Sequence, residues 1–271
     1  MENGKTAIVT GASSGIGMET AYALAGRGYR LALAARRGDR LEEVAGRCRE
    51  RGSPEVLAVP TDVALEEQVG ALFARALEAF GRLDVLVNNA GYGLFQRVHE
   101  TSTAEMRAIF ETNFFGLFFG CRCAAPVMIR QKGGHIFNVS SIVGRRGTPF
   151  HGAYSATKFA VIGLTDTLRV ELAPHNVRVT AVLPALTDTE FFDHSVRGRG
   201  ARQSFAKFKR LTPADVVGRK IAAAVGRNRP NMTFTLGGKL LVLMSALSPR
   251  LVDYGMRQYY EDLRKRLGLS S

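Results

Sequence analysis

The sequence predicts an α/β fold in which helices cover both faces of one parallel sheet. Apolar runs of strand length alternate along the 271 residues with segments of helical periodicity. Glycine-rich or polar turns follow three of those runs directly, at 11–17, 88–91 and 140–141. Alternating strands and helices are typical of parallel sheets, whose ligands bind at the carboxyl ends of the strands. We therefore expect one doubly wound domain of about seven strands, with its site along that edge.

Seven apolar runs are predicted as the strands, at 5–9, 30–35, 56–59, 83–87, 135–139, 178–183 and 232–236. Apolar residues at helical spacing predict the intervening helices, at 18–27, 41–51, 65–80, 103–128, 154–173 and 213–227. Gly28 and Pro174 end two of these helices, because glycine favours the C-terminal cap and proline cannot continue a helix.

The composition limits the class of protein. Three cysteines without metal-type spacing indicate buried thiols in a reducing compartment, and the five histidines form no paired ligand spacing, so we expect no metal. No apolar run approaches the roughly eighteen residues of a membrane span and no leader precedes the first strand, which favours a cytoplasmic protein. The net charge of +13 favours anionic ligands or surfaces.

The first turn is suited to binding a phosphate. Between a buried strand and a helix stand Gly11, Ser13, Ser14, Gly15, Ile16 and Gly17. That layout offers backbone N–H groups and a helix N-terminus to an anion. The second strand ends at Arg36 and Arg37, and no acid occurs before Asp39. Since a carboxylate here selects the ribose 2′-hydroxyl of NAD and an arginine the 2′-phosphate of NADP, the sequence favours NADP(H) over NAD(H).

A tyrosine and a lysine lie one helical turn apart, at Tyr154 and Lys158. A phenol is a poor acid–base group at neutral pH, since its pKa is about 10. An ammonium group held close stabilises the phenolate and is expected to lower that pKa. Ser141 follows the fifth strand, and Asn113 lies in the long helix before it. Polar side chains from three elements are therefore expected to meet at one site.

Five motifs in this order resemble the short-chain dehydrogenase/reductase family, namely TGASSGIG at 10–17, NNAG at 88–91, Asn113, Ser141 and YSATK at 154–158. The resemblance covers about residues 5–236. It implies a Rossmann-like catalytic domain at 1–236, with a cofactor half at about 1–112 and a catalytic half at about 113–236, followed by a C-terminal extension at 237–271. It also implies hydride transfer between C4 of a nicotinamide and a carbon bearing oxygen.

The resemblance implies a role for each matching residue. Tyr154 would give or take the proton, Lys158 would also hold the nicotinamide ribose, and Ser141 would position the substrate oxygen. Asn113 would break its helix locally and hold a water that relays protons to Lys158. Further cofactor contacts are implied for Asp62, Val63, Asn89, Ala90, Gly91, Pro184, Thr187 and Thr189. Ala185 replaces the family's glycine in the last of these turns, so the backbone there is less free.

The expected substrate pocket is mostly apolar. Besides Ser141 and Tyr154, its candidate residues are Ile142, Val143, Phe150 and Phe191, together with Gly93, Leu94, Arg145 and Phe192. This lining indicates a lipophilic carbonyl or alcohol. An alternative is a 3-ketoacyl reductase acting on carrier-protein or CoA thioesters. Those enzymes usually stop soon after the seventh strand, whereas this chain runs on past Leu236.

Two alternatives come from other classes of protein. An NADP-binding sensor without activity would be expected to lose Tyr154 or Lys158, and both are present. Ten lysines and arginines against one acid lie within 194–229, and phenylalanines between them could stack nucleic-acid bases. We interpret this basic segment as the rim of a mobile lid at 191–209 and expect no nucleic-acid partner.

A homodimer or homotetramer is expected, because the family packs the helices at 103–128 and 154–173 against their copies. The first of these helices carries four phenylalanines at 114, 115, 118 and 119, too many for one buried face. A partner subunit would cover those that the chain's own core does not.

The tail beyond Leu236 allows two interpretations. Gly237 and Gly238 are expected to break the last strand, and an amphipathic helix is predicted after Pro249, with an interruption at Gly255. This tail either folds back over the substrate mouth or a dimer neighbour, or lies peripherally on a membrane. Three acids, at Asp253, Glu261 and Asp262, dilute the attraction to anionic lipid, and this favours the fold-back.

Overall fold

Seven parallel strands form the central sheet, as predicted. The computed structural model describes residues 4–192 and 211–268, where the strands are β1 (Thr6–Thr10), β2 (Arg30–Ala35), β3 (Val56–Pro60), β4 (Val85–Asn88), β5 (Gly134–Val139), β6 (Val177–Leu183), β7 (Thr187–Asp188), β8 (Thr212–Pro213) and β9 (Asn231–Thr233). The sheet order is β3-β2-β1-β4-β5-β6-β9, and β7 pairs with β8 in a separate small sheet. β1 lies between β2 and β4, so the strand order reverses beside it. Open parallel sheets bind ligands in the crevice at such a reversal.

Nine α-helices accompany the strands in the described part of the chain. They are α1 (Gly15–Ala25), α2 (Gly38–Glu50), α3 (Glu66–Phe80), α4 (Thr103–Phe110), α5 (Gly116–Gln131), α6 (Gly152–Leu172), α7 (Ala214–Ala224), α8 (Leu236–Leu247) and α9 (Pro249–Arg266). Helices α1, α2 and α7 cover one face of the sheet, and α3, α5 and α6 cover the other. Since neighbouring strand residues point to opposite faces, Ala7 and Val9 pack with the first group and Ile8 with the second.

The long apolar helix expected at 103–128 is divided into α4, a π-helical turn at Glu111–Phe115, and α5. By length and a mean hydropathy of 1.3, the stretch Thr103–Gln131 could cross a membrane, but core helices of globular proteins pass the same test. Here Leu117, Ala124 and Met128 are buried against α3 and the sheet. The structure therefore uses this stretch as a core helix.

The predicted last strand is wrong at its C-terminal end. β9 stops at Thr233, and Leu236 begins α8. Thr235 caps that helix, because its hydroxyl accepts the Gly238 N–H at 3.1 Å. The two glycines after Leu236 thus lie in the first helical turn instead of interrupting a strand. Gly255 does not interrupt α9 either.

The tail folds back onto the rest of the chain, as the favoured interpretation predicted. Tyr260 of α9 stacks on Phe150 with 5.6 Å between ring centroids, and Phe150 stacks on Phe95 at 5.0 Å. Leu263 is buried in the same cluster. The prediction that Phe150 lines the substrate pocket is wrong, because α9 covers its ring.

The predicted lid and half of the basic segment fall mainly at 193–210, outside the described residues.

Helix α7 approaches α1 closely at Gly218. A Cβ at this position would lie 2.6 Å from the Glu19 carbonyl carbon and 2.7 Å from the Thr20 nitrogen. Gly218→Ala is therefore expected to lower the free energy of unfolding by about 1–3 kcal/mol, since the helices must move apart. Urea unfolding followed by circular dichroism measures the change.

Gly70→Ala in α3 is the matched control, because no heavy atom of the described chain lies within 4 Å of the added Cβ. It is expected to raise the free energy of unfolding by about 0.5–1 kcal/mol, as alanine has the better helix propensity. Equal effects of the two substitutions would contradict the packing of α7 on α1.

His135 of β5 is buried as a neutral imidazole. Its Nδ1 accepts the Gly226 N–H at 3.2 Å, so Nε2 carries the proton and donates to Thr180 Oγ1 at 2.8 Å. Thr180 in turn donates to the Arg229 carbonyl oxygen at 2.6 Å. Burial, with a smaller effect of Arg178, lowers the pKa of His135 from 6.5 to about 3.

This low pKa makes the stability of the protein depend on pH. Between about pH 6.5 and pH 3 the unfolded chain binds a proton at His135 that the folded chain does not, so stability is fully present above this window and falls on acidification. The expected slope is about 1.4 kcal/mol per pH unit at most. In His135→Gln the slope between about pH 5 and 6, from urea unfolding, should be shallower, whereas His175→Gln, an exposed control, should keep it. Identical slopes in all three proteins would refute the assignment.

Candidate active site

A cavity of about 1290 Å³ lies at the carboxyl ends of the strands, where the strand order reverses. Most of the residues predicted for cofactor and substrate line it: Gly11, Ser13, Ser14, Gly15, Ile16, Arg36, Arg37, Asp62, Val63, Asn89, Ala90, Gly91, Ser141, Ile142, Val143, Tyr154, Lys158, Pro184, Thr187, Thr189 and Phe191. Four predicted residues are not part of the lining and lie around it: Gly17, Gly93, Asn113 and Phe150. The candidate pocket residues Leu94 and Arg145 also lie elsewhere, Leu94 in the core and Arg145 against Asp166.

The glycine-rich turn needs its glycines for two different reasons. Gly11 and Gly15 have positive φ angles of 64° and 55°, which side chains disfavour. Gly17 lies beneath the turn, where a Cβ would come within 2.3 Å of the Gly11 carbonyl oxygen. Gly17 therefore shapes the cavity without lining it.

Hydrogen bonds tie the NNAG segment after β4 to the end of β1. The hydroxyl of Thr10 accepts the N–H groups of Asn89 and Ala90 at 3.0 and 3.1 Å. The Asn89 side chain donates to the carbonyl oxygens of Thr10 and Gly11 at 3.1 and 3.2 Å. Two motifs nearly eighty residues apart in the sequence thus form one wall of the cavity.

Arg36 and Arg37 differ in their contacts. Arg37 pairs with Glu190 at 3.0 Å and also donates to Ser13 Oγ at 3.3 Å. Arg36 is exposed at the cavity and makes no hydrogen bond or ion pair within the described chain. Its guanidinium is therefore the one of the two that a bound anion reaches without displacing a carboxylate.

Asn113 lies in the π-helical turn, and the predicted local break of its helix is confirmed. Its Oδ1 accepts the Tyr92 N–H at 2.9 Å, while its Nδ2 donates to the Tyr92 carbonyl oxygen at 2.9 Å and to Thr157 Oγ1 at 3.3 Å. The side chain is thus occupied in holding the segment after the NNAG motif. A Cβ on Gly91 would touch Asn113 Oδ1 at 2.9 Å and Lys158 Nζ at 3.7 Å, so these groups converge.

Tyr154, Ser141 and Lys158 meet at the cavity wall. The hydroxyl of Tyr154 neighbours that of Ser141, and Lys158 Nζ lies 5.6 Å from the centre of the tyrosine ring. Lys158 is almost fully buried and donates to the Val139 carbonyl oxygen at 2.9 Å. The lysine therefore stands beside the ring and is anchored to the end of β5.

Burial dominates the acid–base properties of this pair. Although part of the Tyr154 ring faces the cavity, burial raises the pKa of its phenol well above 10, and the neighbouring Ser141 hydroxyl offsets this only partly. Burial lowers the pKa of Lys158 to about 8. The pKa of Tyr154 is therefore raised, contrary to the expectation that Lys158 lowers it, because the cost of a buried phenolate exceeds the attraction to the ammonium.

The turn after β6 closes the far side of the cavity. Ala185 is not among the residues with positive φ, so alanine fits where the family has glycine. The Pro184 carbonyl oxygen accepts the Ile142 N–H at 3.1 Å. Thr189 packs on the glycine-rich turn, since a Cβ on Gly15 would lie 3.0 Å from its Cγ2. Phe191 approaches Tyr154 with 5.4 Å between ring centroids.

Several cavity residues were not predicted. Leu241 of α8 and Met256 and Tyr259 of α9 also line the cavity, and we call them its roof. The helical stripe of the tail includes Met256 and Tyr259, but a periodic pattern does not tell what a helix covers. His151 also lines the cavity, and burial lowers its pKa to about 4, so it is neutral at pH 7. Within 4–192 and 211–268, no group of three or more histidines, cysteines or acids is placed to hold a metal ion.

Comparisons with known proteins agree with this architecture. The family model for short chain dehydrogenase matches residues 5–199. The 11-beta-hydroxysteroid dehydrogenase-like 4A of Arabidopsis thaliana is 36% identical over 253 residues, which cover 92% of this chain and 83% of that protein.

Two solved structures are similar over most of the chain. A short chain dehydrogenase/reductase from Burkholderia phymatum in complex with NAD has a TM-score of 0.84 at 30% identity, covering 92% of this chain and 95% of that one. An alcohol dehydrogenase from the archaeon Thermococcus sibiricus complexed with 5-hydroxy-NADP has a TM-score of 0.75 at 32% identity, covering 85% and 95%. The chain therefore belongs to the short-chain dehydrogenase/reductase family, a family of oxidoreductases that use nicotinamide cofactors.

Proposed function

We propose that this protein is an NADP(H)-dependent oxidoreductase that interconverts a carbonyl group and a secondary alcohol on a lipophilic small molecule. The observation that carries the proposal is the meeting of Tyr154, Ser141 and Lys158 in a largely apolar cavity beside a phosphate-binding turn. When bound, the nicotinamide supplies or accepts the hydride. The chain's own residues bind and orient the reactants and handle the proton.

The cavity fits a dinucleotide. Its glycine-rich turn leaves no side chain between the backbone and a phosphate, and α1 begins there with its N-terminus. We assign the 2′-phosphate to Arg36, which has no partner to lose within the described residues. We assign the adenine to the part of the cavity lined by Asp62 and Val63, and the nicotinamide to the part lined by Thr187 and Thr189.

The raised pKa of Tyr154 keeps its phenol protonated at neutral pH, as a donor in the reductive direction requires. Ser141, whose hydroxyl neighbours that phenol, is placed to hold the substrate oxygen beside it. Lys158, whose pKa of about 8 leaves it charged at neutral pH, would stabilise the phenolate that proton transfer leaves behind.

The roof of the cavity supports a small lipophilic substrate. Leu241, Met256 and Phe191 add apolar surface opposite Ile142 and Val143. A carrier-protein thioester would have to reach Tyr154 past helices α8 and α9, which makes a 3-ketoacyl reductase the less suitable alternative. An idle NADP-binding sensor is the alternative of another class, and the first experiment below distinguishes it.

We further propose that the enzyme is a cytoplasmic homodimer or homotetramer that binds no nucleic acid. Phe115, in the π-helical turn before α5, and Phe159 and Val170 of α6 are exposed apolar side chains in the two helical regions that the family uses between subunits. We regard residues 1–236 as the catalytic domain and 237–271 as its extension, since α8 and α9 complete the cavity from outside the sheet.

Tyr154→Phe is expected to lower kcat for carbonyl reduction by about 10²–10⁴-fold, because only the proton donor is lost. NADPH binding, measured by fluorescence titration, should remain near that of the unmodified protein. Tyr22→Phe is the matched control, since the Tyr22 hydroxyl is buried in α1 away from the cavity and has no hydrogen-bond partner in the described chain. If Tyr154→Phe kept more than about a tenth of kcat, the proposed mechanism would be wrong.

Arg36→Asp is expected to raise the KM for NADPH at least about tenfold and to shift preference toward NADH, because a charge-assisted bond to the 2′-phosphate becomes a repulsion. Arg47→Asp, the same charge change at an exposed position of α2 away from the cavity, should leave both KM values unchanged. Steady-state kinetics with NADPH and with NADH measure the two KM values. Equal kcat/KM for NADPH and NADH in the unmodified enzyme would sink the assignment.

A further inference from the structure

Helix α8 has two apolar faces, and only one of them is covered. On the inner face Gly238 is buried and Leu241 lines the substrate side of the cavity. On the outer face, at positions one or two helical turns apart, four leucines are 54–83% exposed: Leu236, Leu240, Leu243 and Leu247. Helix α8 is thus a single layer of structure with the cavity on one side and solvent on the other.

The exposed apolar side chains are concentrated in this region. Of the eleven large hydrophobic residues that are exposed in the described chain, six lie between Leu236 and Tyr254. Beyond α8 these include Leu251 and Tyr254 in the first turns of α9. We call the six residues the outer face. A contiguous apolar surface of this kind marks an interaction site.

The charges around the outer face are basic. Asp253, Glu261 and Asp262, the three acids of α9, pair with Arg146, Arg264 and Arg266. Helix α8 has no acid. Four exposed cations of the tail make no ion pair within the described residues: Lys239, Arg250, Arg257 and Lys265. The acids that argued against a lipid partner in the sequence are therefore compensated within the fold.

We propose that the outer face docks on the surface of an anionic lipid bilayer. At about 1.5 Å per residue, the twelve residues of α8 extend roughly 18 Å, too short to span a bilayer but sufficient to lie in its interface. The apolar residues would enter the acyl boundary while the four cations meet the headgroups. Fold-back of the tail and membrane contact are then properties of opposite faces of the same helix.

A second copy of this chain is a less suitable occupant. Association of two outer faces would bring the unpaired cations of both tails together, on a chain that already carries a net charge of +13. Binding to an anionic surface, in contrast, would be strengthened by each of these cations. The charge around the outer face therefore favours a lipid partner over a second copy.

Docking in this orientation also has a consequence for the substrate, which rests on the proposed function. Leu241 and Met256 line the cavity directly beneath the docked surface. A lipophilic carbonyl compound dissolved in the bilayer would reach Tyr154 past these two side chains without crossing water. We therefore infer that the cavity takes its substrate from the membrane.

Co-sedimentation of the full chain with vesicles tests the docking without using catalysis. The vesicles contain phosphatidylcholine with about 30% phosphatidylserine, and phosphatidylcholine alone serves for comparison. The unmodified protein should sediment with the anionic vesicles, and the bound fraction should fall as salt is raised. Leu240→Glu with Leu243→Glu should weaken binding at least about tenfold, because two leucines that would enter the bilayer become charges. Leu65→Glu is the matched control, since Leu65 is 51% exposed against 58% for Leu240 but lies at α3, and it should bind as the unmodified protein does.

NADPH titration and light scattering complete the test. The double variant should bind NADPH normally, which shows that it is folded. The proposal is overturned if the unmodified protein does not bind anionic vesicles, or if the double variant binds them equally well. It is overturned in favour of a second copy if the double variant instead halves the molar mass in solution. Because none of these measurements uses turnover, an inactive protein that binds vesicles would refute the proposed function and leave the docking intact.

Discussion

The structure depends on how closely β1 and β4 approach each other at their carboxyl ends. The Gly11 carbonyl oxygen occupies the place where Gly17 would carry a Cβ, and the amide of Asn89 bonds to the same backbone. No larger residue fits at Gly17, and the hydroxyl of Thr10 holds the second motif in register. These contacts open the crevice on which the rest of the site is built: the glycine-rich turn on one side, and the segment held by Asn113 on the other.

The second constraint is electrostatic. Lys158 and Tyr154 are placed in surroundings that disfavour charge. The pKa of Tyr154 is therefore raised and that of Lys158 lowered, so that both shifts favour the neutral form. A dinucleotide would change this balance, since its phosphates add negative charge and its ribose would give the lysine a further acceptor. The cavity thus holds a protonated phenol and a lysine close to its titration range, and a dinucleotide would complete the charge distribution that the proposed reaction needs.

The sequence is sufficient for most of the fold and for the composition of the site. Strands are short and apolar, the turns after them carry glycine or asparagine, and twenty-one of the predicted site residues do line one cavity. The failures have specific physical causes. A short apolar run fits a strand or a buried helix equally well, so the sequence predicts a strand at Leu236. In the structure Thr235 caps a helix that begins at this residue. Phe150 was assigned to the pocket because its partners, Phe95 and Tyr260, are distant in sequence. The pKa of Tyr154 could not be inferred from its neighbour four residues away, since it follows from burial by the whole site.

The enzyme consists of two parts that can vary independently, the sheet with its packed helices and the tail formed by α8 and α9. Tyr154 and Ser141 depend on strand register and helix packing, so changes around them disturb the core. The roof residues Leu241 and Met256 belong to helices that pair with no strand of the sheet, and side chains there can change size without moving the groups that handle the proton. Selection on α8 and α9 would therefore alter which molecules the enzyme accepts while its chemistry is inherited unchanged, and diversification within a lineage should be concentrated in the last thirty-five residues rather than in the sheet.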